Sequence, residues 1–128
     1  MPYLKEEIKV STSGSSGSAT GAGAIQLPVC ELVALYVNFH ASAASTQDTT
    51  FTAPDSPLGN AANQTILTLT NTNTDAWEYP RRDSDDNTGS TDTDSKVPYV
   101  IAGGTLHVNI AQGDALTDCI MVTAIFKI

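Results

Sequence analysis

Positive charge is scarce in this chain of 128 residues: six Lys and Arg stand against fourteen Asp and Glu, a formal net charge of −8. A surface of that sign repels a phosphate backbone and closes the counterion-release route to affinity, so no nucleic-acid partner is expected. Long hydrophobic runs are missing too. The longest, Val29 to Phe39, carries Glu31 and Asn38 and falls short of the roughly 20 apolar residues that span a bilayer, so no membrane partner is expected either. The start, Met-Pro-Tyr-Leu-Lys-Glu-Glu-Ile-Lys-Val, has neither the basic opening nor the apolar stretch of a secretory leader, and a soluble protein made in a cytoplasm is the expectation. Cysteine occurs only as Cys30 and Cys119, each inside an apolar strand-like run, which is the pattern of two reduced core thiols.

Groups that carry chemistry are equally sparse. His40 and His107 are the only histidines, and neither lies in a recognisable nucleophile motif, so no catalytic residue is assigned and no enzyme is expected. Cys30, His40, His107 and Cys119 have none of the paired short spacings of a structural zinc site. Asp83, Asp85, Asn87 and Asp94 resemble the start of a calcium loop. The turn glycine is displaced, however, with Thr88 sixth and Gly89 seventh, and the closing ligand is Asp rather than Glu. The stretch 83–95 is therefore expected to be a solvated acidic loop that Arg81 and Arg82 neutralise. No glycine-rich phosphate cradle follows a strand, so no metal, nucleotide or other cofactor is expected. Asn63-Gln-Thr65 matches a glycosylation acceptor, and with no secretory leader expected the match is expected to be chance.

What is abundant is Thr, Ser, Asn, Gly and Ala, with only 16% charged residues, a composition that suits strands and polar turns rather than long exposed helices. Residues 11–24, Ser-Thr-Ser-Gly-Ser-Ser-Gly-Ser-Ala-Thr-Gly-Ala-Gly-Ala, contain no large apolar side chain. Such a tract cannot order itself, and the expected source of ordering contacts is another chain. Residues 1–24 thus read as an extended N-terminal arm, with Tyr3, Leu4, Ile8 and Val10 as partner-binding anchors. A chain lacking the arm is expected to fold.

From Ile25 to the end, residues 25–128, the pattern is that of one β domain. Ile25 to His40 reads as one long strand or two consecutive ones, with Pro28 at an edge or bend, and Val29, Val33, Leu35, Val37 and Phe39 share one parity. Short strands are expected before Pro54, over Thr65–Asn71 and at Ala76–Tyr79, with turns at Pro57, Gly59-Asn60 and Gly103-Gly104. Leu106, Val108 and Ile110 alternate with Thr105, His107 and Asn109, and Ile120, Val122, Ala124, Phe126 and Ile128 fill one parity of a final strand. Strands without helices to cover them must bury one sheet against another, so the expected fold is an all-β, antiparallel two-sheet β-sandwich, jelly-roll-like in preference to immunoglobulin-like.

The low-complexity arm, the acidic stretch and the C-terminal half, chiefly Lys96-Val-Pro-Tyr-Val-Ile-Ala-Gly-Gly-Thr-Leu-His-Val-Asn-Ile-Ala-Gln-Gly-Asp114, together resemble the tailed-bacteriophage capsid decoration (cement) proteins. The resemblance implies a structural virion protein on the capsid exterior, a homotrimer that binds the major capsid protein and stabilises the shell. It carries over no active site. Two alternatives share the same features: a phage neck, tail or head-fibre protein, and a carbohydrate- or ion-dependent binding module that uses Trp77, Tyr79 and the 83–95 stretch.

Overall fold

The computed structural model describes residues 2–54, 64–102 and 104–128. The expected turns at Pro57 and Gly59-Asn60, together with Asn63 and Gly103, lie outside the described residues. The chain is all-β, with antiparallel sheets. In order the strands are β1 (Tyr3–Val10), β2 (Ala19–Gln26), β3 (Cys30–Phe39), β4 (Asp48–Ala53), β5 (Gln64–Leu69) and β6 (Ala76–Glu78). There follow β7 (Arg81–Asp85), β8 (Thr91–Pro98), β9 (Val100–Ile101), β10 (Thr105–Gly113) and β11 (Ile120–Lys127). One sheet runs β1-β11-β3-β6 with β9 also on β3; a second runs β2-β10-β4-β5; β7 and β8 form a separate hairpin.

Alternation sets most of these strands. In β10, Leu106, Val108 and Ile110 are buried while Asn109 between them is exposed, and in β11 Ile120, Val122, Ala124 and Phe126 are buried, as their parity predicts. Ile128, of the same parity, lies beyond the strand and is exposed. The inward residues of both large sheets join one hydrophobic cluster: Leu32, Leu35, Val37 and Phe39 from the first meet Phe51, Leu106, Val108 and Ile110 from the second.

In β3 the parity breaks. Cys30, Leu32, Leu35 and Val37 are buried, while Val33 is only half-buried and Val29 is exposed, contrary to the single-parity expectation. The register explains this: Phe126 pairs with Leu32 and Ile125 with Ala34, so Val33 is an inserted residue that switches the inward side.

The free N-terminal arm is replaced by two sheet strands. β1 pairs with β11 along its whole length, from Tyr3 opposite Lys127 to Val10 opposite Ile120, and β2 pairs with β10. β2 crosses the expected domain boundary between residues 24 and 25. The ordering contacts come from within the chain. Thr12 N donates to Leu116 O (2.9 Å), and Ser16 Oγ and Gly17 N both donate to Asp114 Oδ1 (2.9 Å each). Small side chains are a packing requirement here: a Cβ on Gly23 would stand 2.9 Å from Val10 Cγ2 and 3.0 Å from Ile8 Cδ1, so a larger residue would push β2 off β1.

The expected acidic loop is also ordered differently, as β7, a turn and β8. Asp86 Oδ1 accepts from Thr88 N (2.8 Å), Thr88 Oγ1 (2.7 Å) and Ser90 N (3.0 Å), and Gly89 takes a φ of 82° that favours glycine. Lys96 pairs with Asp83 across the strands.

Candidate functional sites on the five-stranded sheet

The four predicted anchors share β1 but not one environment. Val10 is 2% exposed and belongs to the core, and Ile8 is half-buried against it, so neither is a free peg. Tyr3 (65% exposed) and Leu4 (39%) remain open to solvent, on opposite faces of the strand because neighbours in sequence alternate. Tyr3 to Glu7 are all exposed. β1 is an edge strand: its hydrogen-bonded neighbour is β11, and its other edge carries no strand among the described residues. An open cleft of about 420 Å³, lined by Glu7, Ile8, Lys9 and Met121, lies beside it. Glu6, opposite Ala124, points toward the core side of the sheet yet is exposed. An inward charge of this kind protects an edge strand from indiscriminate pairing.

A second site lies at the far edge of the same sheet, where β6 pairs Leu35 with Glu78, Tyr36 with Trp77 and Val37 with Ala76. Leu35 and Val37 face the core, so Tyr36 and Trp77 face outward. Their ring centroids are 4.9 Å apart at 49°, and Trp77 lies 6.5 Å from Tyr79 with the planes only 20° apart. Trp77 and Tyr79 are 51% and 60% exposed. Val100, opposite the outward Glu31, adds an exposed apolar side chain to the same face. Asp75 Oδ1 accepts from Phe39 N (2.7 Å) and fixes the start of the aromatic strand. Arg81 Nη1 donates to Val33 O (3.1 Å) and Pro80 O (2.8 Å), which holds its guanidinium at the base of the hairpin. Trp77 and Tyr79 stand out in the sequence as a pair. Tyr36 and Val100 join them only through strand pairing, which no local spacing announces.

The remaining chemistry-bearing groups are dispersed. His40, after β3, is exposed and its Nδ1 accepts from Ser42 N (3.0 Å), whereas His107 is on β10 in the other sheet. Among the described residues no group of three or more His, Cys, Asp or Glu side chains converges as a metal-ion site, and no helix is long and apolar enough to cross a membrane. Cys30 and Cys119 are free and buried; burial pushes the Cys30 thiol up to about 11, and Cys119 Sγ donates to Gln47 Oε1 (3.1 Å).

The arrangement therefore offers contact area at two edges of one sheet, one the open side of β1 and the other a set of exposed rings. Neither protein-family models nor curated proteins provide a match to the chain.

Proposed function

We propose that this chain is a structural virion protein that decorates a phage capsid, docking on the outer surface of the major capsid protein and stabilising the shell without catalysing a reaction. The architecture that suits this role is a jelly-roll sandwich. With β7, β8 and β9 set aside as an insertion, the other eight strands fall into four antiparallel pairs: β1 with β11, β2 with β10, β3 with β6, and β4 with β5. Pairing of early strands with late ones, divided between two sheets that share a core, is how a jelly roll winds.

The observation that carries the reading is the outer half of β1. Five consecutive exposed residues on a strand with one unpaired edge present backbone donors and acceptors together with Tyr3 and Leu4, and an extended segment of a partner can add to such an edge. Docking through a preformed strand avoids the entropy of ordering a 24-residue arm. Assembly as a homotrimer on a repeating shell would multiply a modest contact into stable attachment.

The test is cosedimentation with heads of the parent phage assembled without this protein. A Tyr3→Ser, Leu4→Ser double variant should fold, because both side chains are exposed, and should fail to saturate the heads. Saturation equal to that of the unaltered chain would overturn the proposal.

A further inference from the structure

We propose that Trp77 and Tyr79, backed by Tyr36, form a platform for a neutral carbohydrate chain. The site is separate from the β1 edge and goes beyond the capsid-binding reading. Trp77 and Tyr79 are 51% and 60% exposed, and the two ring planes differ by 20°, so their faces are presented at nearly the same angle, Trp77 on β6 and Tyr79 just beyond it. The rings are held in advance of any ligand: Trp77 is braced by Tyr36 at 4.9 Å, β6 is paired to β3, and Asp75 pins its start. A braced, exposed aromatic face suits the apolar faces of pyranose rings, which pack on such rings through their C–H bonds, and preorganisation lowers the entropic cost of binding.

Hydroxyl groups at a sugar's rim need polar partners beside the rings. Thr123, opposite Tyr36, and Asn38, two residues further along β3, share the outward face, and the tethered Arg81 guanidinium follows Tyr79 by two residues. Charge complementarity selects the ligand class. The hairpin that continues from the platform carries Asp83, Asp85, Asp86, Asp92 and Asp94, and the chain has a net charge of −8, so sialylated, sulfated or phosphorylated glycans and nucleic acids are repelled. A neutral glycan meets no such barrier.

Trp77 is the only tryptophan, so its emission reports on this site alone. Cellohexaose, maltohexaose, mannohexaose and chitohexaose are titrated separately into the full chain. The expected result is a saturable change in emission with at least one of them. Tyr79→Ala, checked for native circular dichroism, should weaken that binding about tenfold or more, while Tyr3→Ser should leave it unchanged and Tyr79→Ala should still saturate phage heads. No saturable change with all four sugars, or equal affinity in Tyr79→Ala, would overturn the proposal. Loss of head binding in Tyr79→Ala would overturn it as well, by making the rings a protein contact.

Discussion

At Asp86 a single carboxylate organises the tip of the β7–β8 hairpin. The Thr88 hydroxyl first, then the Thr88 and Ser90 backbone N–H groups, hold the ionised form and lower its pKa below the usual carboxylate value. A group with a depressed folded-state pKa lends stability that is present above its unfolded pKa and is lost as pH falls through the folded one. The tip should therefore loosen as pH falls below the usual carboxylate value. Carboxyl carbon shifts followed by NMR should show Asp86 titrating below the usual carboxylate value, and Thr88→Val, which removes the first of these hydrogen bonds, should move its midpoint upward. The acidity of this stretch is plain in the sequence. Its turn is not, because which aspartate accepts the three bonds depends on the register of Arg81 to Asp85 against Thr91 to Pro98.

Among the elements, β2 shows how composition can mislead. Its Ala-Thr-Gly-Ala-Gly-Ala-Ile-Gln has the residues of a linker, yet the glycines are there because β1 lies close by. At Gly21 an added Cβ would collide with the carbonyl oxygen of Ser11, a backbone atom that cannot turn aside. Gly21→Ala should therefore destabilise the protein by about 1–3 kcal/mol in urea unfolding, the usual cost of overpacking. Ala22→Ser, at a neighbouring exposed position, should change stability by no more than about 0.5 kcal/mol. β10 and β11 make the contrast, since their period-two alternation alone gives the buried side. β3 stands between the two cases: its apolar run is legible, but the inserted Val33 that turns Cys30 and Leu32 inward is set by pairing with β11.

For the whole molecule, the N-terminal fifth of the chain is part of the fold. Removing residues 1–24 would strip β1 from β11 and most of β2 from β10, opening an edge of each large sheet and uncovering the core beside Val10 and Ala19. The truncated chain should give a collapsed amide spectrum and no cooperative thermal transition, where a detachable arm would leave a dispersed spectrum and a sharp one. By itself the sequence determined the class, the acidity and most inward residues of β10 and β11, because charge adds without regard to shape and alternation is a local property of extended backbone. Tertiary structure decided where residues 1–24 go and which exposed rings stand together. Those outcomes rest on contacts between residues far apart in the chain, Ser16 with Asp114 for the first and Tyr36 with Trp77 for the second, whose partners no local pattern can name.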